Sequence, residues 1–257
     1  MTKLDNRLRA VADFVPMNSR VADIGADHGY LALDLLNSKQ AEFVVVSDKN
    51  SEPLTSARRN LDLFSKNSNK INFRLGGGLT VLKPGEVDTI CIAGMGGSLI
   101  CEILCESPQI LSTTSKLILQ PMNGFKPLRT WLYKAGWHIV DEELVEVDKK
   151  IYVVILSEQG EKNLPNGLEL QIGPVILKKY RGKKIFHEHL NEKILIMQKV
   201  VSDMSRSALA RSSTKYSDLQ NEIDELKKIL KEDEKISTAE NFSINDLPTM
   251  IPREVFY

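Results

Sequence analysis

The sequence predicts an α/β protein: a mostly parallel, Rossmann-like sheet that ends in an antiparallel hairpin, followed by a C-terminal antiparallel, coiled-coil-like helical domain. Three observations carry this. Short runs dense in Val and Ile alternate with amphipathic stretches over the first 160 residues, as in a parallel sheet covered on both faces. Only Asp148, Lys149 and Lys150 separate the last two strand-like runs, too few for a crossover helix, so these two form a hairpin. Beyond Gly160–Gly173 the apolar residues recur only at helical spacing.

In chain order the predicted strands are Arg20–Ile24, Glu42–Ser47, Lys70–Leu75, Asp88–Ala93, Lys116–Gln120, Trp137–Val147 and Ile151–Ser157. Helices are expected over Gly29–Ser38, Glu52–Phe64, Gly97–Glu106 and Lys126–Ala135. Ser51 suits an N-cap, and Pro53 suits a first helical turn. In the second part Phe186, Leu190, Ile194, Met197, Val201 and Met204 form one apolar stripe. Tyr216, Leu219, Ile223, Leu226 and Leu230 form another, with a Ser-rich break, Ser205–Thr214, between them. Two antiparallel helices packed along one seam satisfy that pattern. The expected organisation is a ligand-binding domain over 1–160, a helical domain over 161–236 and an irregular tail over 237–257, which contains Pro248 and Pro252.

Composition narrows the function classes. The 257 residues carry 34 basic and 34 acidic side chains, so overall charge points to no partner and a nucleic-acid site must arise locally. Three cysteines are too few, and odd in number, for a disulfide framework, which suits a reducing cytosol. No run of 18 apolar residues predicts a membrane span, and Met1–Pro16 lacks the apolar centre of a secretory signal. The expected location is cytoplasmic.

The segment Ala22-Asp23-Ile24-Gly25-Ala26-Asp27-His28-Gly29-Tyr30 joins the first strand to the first long helix. Gly25 permits a tight turn, and N–H groups at a helix start can face a polar or anionic ligand. The spacing is Asp-x-Gly-x-x-x-Gly, without the second glycine that lets a backbone approach a pyrophosphate, and this disfavours NAD. S-adenosylmethionine fits better, because its ammonium needs an acidic acceptor that Asp23 or Asp27 can supply. An ordinary strand-to-helix turn would use the same glycine. Asp48, followed by Lys49, ends the second strand about 20 residues on, where a carboxylate can accept from both ribose hydroxyls. Gly76-Gly77-Gly78 after the third strand suits close approach to an adenine edge, or a flexible turn. Ala93-Gly94-Met95-Gly96 leaves the carboxyl edge of the fourth strand open to a ligand.

Together these residues resemble the class I S-adenosylmethionine-dependent methyltransferases, and more specifically TrmK, the bacterial tRNA (adenine-22-N1)-methyltransferase family. Asn6-Arg7-Leu8, the segment Ala22–Leu31, Ile92–Gly97, Leu117–Pro121, Leu128-Arg129, Trp131-Leu132, Tyr152 and Gly173-Pro174 carry the resemblance over residues 4–235. The chain departs from the family at Gly77, where an Asp is usual; at Met122, which separates Pro121 from Asn123; and at Asp48, often Glu.

The resemblance implies methyl transfer from S-adenosylmethionine to N1 of adenine 22 in tRNA, leaving S-adenosylhomocysteine. It implies a base turned outward from the folded RNA, with Gln120 and Asn123 reading the adenine edge and His28 and Tyr30 stacking on it or bonding to it. The expected partner is tRNA, and the chain is expected to act as a monomer without membrane or metal. Between Lys178 and Arg211 nine basic residues stand against three acidic ones, a stripe that can hold phosphates or simply face solvent. Cys101 and Cys105 lie one helical turn apart, but no Cys or His set completes a zinc site. Two other readings stay open: a methyltransferase for another substrate, and a non-catalytic binding protein on a decayed methyltransferase fold.

Overall fold

Seven strands, β1 (Ser19–Ile24), β2 (Ala41–Asp48), β3 (Ile71–Leu75), β4 (Thr89–Met95), β5 (Lys116–Pro121), β6 (Trp137–Val147) and β7 (Lys150–Gln159), form one sheet in the computed structural model. The structure describes residues 4–64 and 70–245. The strand order is β3-β2-β1-β4-β5-β7-β6. The first five strands are parallel, and β7 runs antiparallel to both neighbours. The central strands bury Val44, Val45, Val46, Ile90, Cys91, Ile92, Leu117, Ile118 and Leu119, which explains their unbroken apolar runs. The hairpin is tighter than the sequence suggests. Val147 pairs with Lys150, and the two loop residues, Asp148 and Lys149, both have positive φ, the twist a two-residue hairpin favours.

Helices α2 (Tyr30–Asn37), α3 (Ser51–Phe64), α4 (Gly97–Cys105) and α6 (Phe125–Lys134) match the four expected; α5 (Pro108–Leu111) is a short addition. One helix of two turns or more was not anticipated, α1 (Asn6–Asp13). Asp5 caps it by accepting from Leu8 N at 2.7 Å. Val11 and Ala12 are buried within it, and Gln40 Nε2 donates to Ala12 O and Val15 O, tying its end to the sheet. The bidentate pair Arg9–Asp34 holds it to α2. Its signal was present: Asp5 as a cap, then Leu4, Leu8, Val11, Ala12 and Val15 at helical spacing. The helix is only eight residues long and rich in charge, which hides that pattern.

The expected boundary at residue 160 moves. The chain divides into two compact units, one ending at Lys179 and one beginning at Tyr180. Helices α7 (Gly167–Ile172) and α8 (Ile176–Lys179) belong to the first unit because a buried ion pair holds them there. A bulge in β6 between Ile139 and Asp141 turns Glu142 inward, and Arg129 Nε meets its Oε1 at 2.7 Å with both side chains fully buried. Arg129 Nη1 also donates to Leu170 O, and Glu142 Oε2 accepts from Val175 N.

The second unit contains α9 (Lys184–Met204), the short α10 (Ala208–Arg211) and α11 (Thr214–Asn245). Phe186, Leu190, Ile194 and Met197 of α9 and Ile223, Leu226 and Ile229 of α11 are buried, along the expected seam; Ile229 takes the place anticipated for Leu230. At one end Asp233 accepts from Gly182 N and His187 Nε2 and pairs with Arg181. The start of α9 therefore meets the later part of α11, and the pair is antiparallel. Helix α11 runs to Asn245, so the tail expected to be irregular from residue 237 is helical to 245. Residues 246–257, with Pro248 and Pro252, lie outside the described residues.

Candidate functional site

A cleft of about 760 Å³ opens at the carboxyl edge of β1, β2, β3 and β4. Its walls follow from the turns that end those strands. After β1 the chain bends sharply: Gly25 N and Ala26 N both donate to Ser47 O, and Gly25, Asp27 and Gly29 all adopt positive φ. At Gly25 glycine is favoured by its φ of +72°, and the Met95 Cε methyl packs into the space a Cβ would take, 2.3 Å from it.

Most of the expected ligand-binding residues meet here. Asp23, Gly25 and Asp27 line the cleft from β1 and its turn, and Asp48 and Lys49 from β2. Gly76, Gly77 and Gly78 enter after β3, and Ala93, Gly94 and Met95 end β4. His28 and Tyr30 also line it, with ring centroids 5.6 Å apart. Asp48 Oδ1 accepts from Asn50 N at 2.8 Å, which leaves its second oxygen for another donor.

Asp23 has the most unusual environment. It is 5% exposed, and its Oδ2 is buried without a hydrogen-bond partner. Burial pushes its acid up to about 7, offset in part by a backbone hydrogen bond from Ala32. Cys91, its register partner on β4, is pushed well up by burial and by Asp23, so the thiol stays neutral beside it.

Four expected residues do not line the cleft. Gly29 caps α2, where a Cβ would come within 3.0 Å of Ala57 Cβ; its role is close helix packing. Gly96 caps α4 and faces the Asn123 side chain. Asn123 is exposed, and its carbonyl accepts from Gly97 N. Gln120 is fully buried and committed. Its Oε1 accepts from Arg7 Nη1 at 2.7 Å and from Gly94 N at 3.0 Å, while Nε2 donates to Pro121 O. It positions the end of β4 and has no free edge for a base.

Sequence reasoning missed the residues that α1 and α4 bring. Arg7 and Leu8 close one side of the cleft, and Leu99, Glu102, Ile103 and Glu106 line it from α4. Arg7 is the informative one, since Asn6-Arg7-Leu8 was legible as a motif but had no helix to place it. The cleft holds five carboxylates (Asp23, Asp27, Asp48, Glu102, Glu106) against two fixed cations, Arg7 and Lys49, a balance suited to a cationic ligand. No group of three His, Cys, Asp or Glu among the described residues could hold a metal ion. No described helix is long and apolar enough to cross a membrane.

Part of the basic stripe is held within the protein, and the pairs of Lys184 and Arg206 lie at the exposed surface. Lys179 pairs with Asp141 and Glu143, Arg181 with Asp233, Lys184 with Glu188, and Arg206 with Asp203. Lys183 lies over the Tyr180 ring and Lys193 is buried. Lys178, Lys199 and Arg211 are exposed.

Comparison with known proteins agrees with this architecture. The model of the methyltransferase domain family matches residues 4–155. The tRNA (adenine(22)-N(1))-methyltransferase of Bacillus subtilis (strain 168) is 32% identical over 234 residues, covering 89% of this chain and 97% of that protein. The crystal structure of the B. subtilis m1A22 tRNA methyltransferase TrmK is similar with a TM-score of 0.76 at 30% identity, covering 91% of this chain and 99% of that one. The crystal structure of Streptococcus pneumoniae Sp1610 in complex with S-adenosyl-L-methionine is similar with a TM-score of 0.74 at 30% identity, covering 89% of this chain and 100% of that one.

Proposed function

The chain belongs to the tRNA (adenine(22)-N(1))-methyltransferase family, and we propose that its cleft transfers the methyl group of S-adenosylmethionine to N1 of adenine 22 in tRNA. The observation that carries this reading is the buried, unpartnered Oδ2 of Asp23 in the cleft wall. A buried acceptor without a donor costs about 1–3 kcal/mol, and an ammonium group removes that cost. The residues present therefore fit the methyl donor.

The strand order arranges the rest. Across the rim lie Gly76–Gly78 after β3, Asp48 on β2, Asp23 and Gly25 on β1, and Ala93–Met95 on β4. In that order they suit an adenine, a ribose, an amino-acid end and the point of methyl transfer. When bound, S-adenosylmethionine supplies a methyl group on a sulfonium, already activated for displacement. N1 of neutral adenine carries its lone pair without losing a proton, so no side chain needs to act as a strong base. The protein's contribution is alignment and exclusion of water. Gln120 holds Gly94 and Arg7 in place, Met95 packs over Gly25, and the His28–Tyr30 pair offers an aromatic surface to a base turned out of the RNA. The second unit we assign to tRNA binding, through Lys199 and Arg211, and a tRNA substrate places the reaction in the cytoplasm.

The test is nucleoside mass spectrometry of unmodified bacterial tRNA incubated with the protein and S-adenosylmethionine. N1-methyladenosine at position 22 is the expected product. A protein that binds the methyl donor and yields no N1-methyladenosine refutes the reading.

A further inference from the structure

Helix α4 turns one face to the cleft: Leu99, Glu102, Ile103 and Glu106, spaced three and four residues apart. Ile103 packs on the glycine loop after β3, where a Cβ on Gly78 would lie 3.2 Å from Ile103 Cγ2. Gly77, beside it, differs in kind. Its backbone is extended, with φ −95° and ψ 140°, and a Cβ there would meet nothing within 4 Å. Neither conformation nor crowding demands glycine at this position, so the loop presents bare backbone where a side chain would fit. The carbonyl of Gly77 already accepts from Thr80 Oγ1 at 2.8 Å. Among the described residues the turn after β3 thus offers no carboxylate to a purine edge that carries an exocyclic amine; its polar side chain in the cleft, Thr80, has its hydroxyl proton on the Gly77 carbonyl.

The α4 side supplies one. Glu102 is exposed, lines the cleft next to Ile103, and makes no ion pair or side-chain hydrogen bond among the described residues. Glu106 lies a further turn away, beyond the last residue of the helix. We propose that Glu102 accepts a hydrogen bond from the exocyclic amine of the methyl donor's adenine, the task that an acidic side chain at Gly77 would otherwise perform. This rests on the cofactor assignment above. It makes Glu102 the residue that selects adenine over a purine bearing a carbonyl at the same carbon, since a carboxylate attracts the amine and repels the carbonyl oxygen.

Calorimetric titration of the full chain with S-adenosylhomocysteine and with S-inosylhomocysteine tests it without recourse to activity. The wild-type protein binds the adenosine compound more tightly. Glu102→Ala weakens that compound about tenfold or more and closes the gap between the two ligands, whereas Glu106→Ala keeps the gap. Adding Gly77→Asp to Glu102→Ala restores the preference for adenine, because the open space at Gly77 accepts the new carboxylate. Glu102→Ala that retains wild-type discrimination overturns the proposal, as does a wild-type protein that binds both ligands equally. A wild-type protein that binds neither refutes the cofactor assignment itself.

Discussion

Arg7 on α1 and Gln120 on β5 are joined by a 2.7 Å hydrogen bond, and the accepting oxygen also receives the Gly94 N–H. Through this one amide, a residue near the start of the chain fixes the end of β4, which lines the cleft. Removing Arg7 frees the Gln120 carbonyl and loosens Gly94 without touching Asp48 or Asp23. A hydrogen bond to a charged donor contributes about 1.5–3 kcal/mol. Arg7→Ala is therefore expected to lower kcat about tenfold to a hundredfold, with the affinity for S-adenosylhomocysteine changed much less. Steady-state kinetics paired with calorimetry checks this; an equal loss in both would place Arg7 on the cofactor instead.

Asp48 carries the opposite expectation. It has one oxygen in a turn with Asn50 N and the other available to the cleft. Asp48→Ala should weaken S-adenosylhomocysteine binding by at least tenfold, on the same magnitude for a charged hydrogen bond. Unchanged affinity in a titration would remove Asp48 from the ribose site.

Asp23, in the cleft wall, should give ligand binding a pH dependence whose sign follows from its burial. Its acid is pushed up to about 7, above the ordinary carboxylate range near 4. The folded protein thus holds a proton that the unfolded chain releases. This contribution to stability is complete below about pH 4 and is lost as pH rises through about 7. An ammonium ligand needs the ionised form, so binding should tighten roughly tenfold from pH 6 to pH 8. Asp23→Asn should abolish that slope and raise the unliganded protein's melting temperature at pH 8. A wild-type affinity equal at both pH values would show that Asp23 does not meet the ligand.

What could be read in the sequence divides along physical lines. Strands whose faces are both buried, such as Val44–Val46 and Ile90–Ile92, announce themselves by composition. The glycine and aspartate turns at their ends are local features, so the rim of the cleft was largely legible. The roles of Gln120, Asn123 and Glu142 depend on partners far away in sequence. Gln120 looked like a base reader until Arg7 and Gly94 were seen to occupy its oxygen. Glu142 sits in a strand that alternates like an exposed one, and only the β6 bulge and Arg129 explain its burial. The basic stripe was legible only as a count for a related reason: charge summed along the chain ignores the acids, such as Asp141, Asp203 and Asp233, that the fold brings to it.

The Arg129–Glu142 pair makes the position of a truncation decisive. Its groups hold Leu170, Val175 and Ile176 to the first unit. Breaking a buried pair by removing one partner costs about 3–5 kcal/mol. Glu142→Ala should lower the melting temperature markedly, and a chain ending at residue 160 should fail to fold. A chain ending at Lys179 should fold and keep its affinity for S-adenosylhomocysteine. Equal thermal stability of the two truncations would contradict the clasp.

Binding of tRNA should distinguish the engaged cations from the rest. Arg206, Lys199 and Arg211 are all exposed, but Arg206 lies 3.5 Å from Asp203, whereas Lys199 and Arg211 make no ion pair among the described residues. Each cation that meets a phosphate releases condensed counterions and steepens the fall of log K with log salt by about 0.7–0.9. Lys199→Ala combined with Arg211→Ala should weaken tRNA binding and lower that slope by about 1–2, while Arg206→Ala should change it little. The chain ending at Lys179 should lose the same salt dependence while still binding S-adenosylhomocysteine. Filter binding of unmodified tRNA at several salt concentrations reads all three variants. If the double substitution leaves the slope unchanged, the second unit does not hold RNA through these side chains.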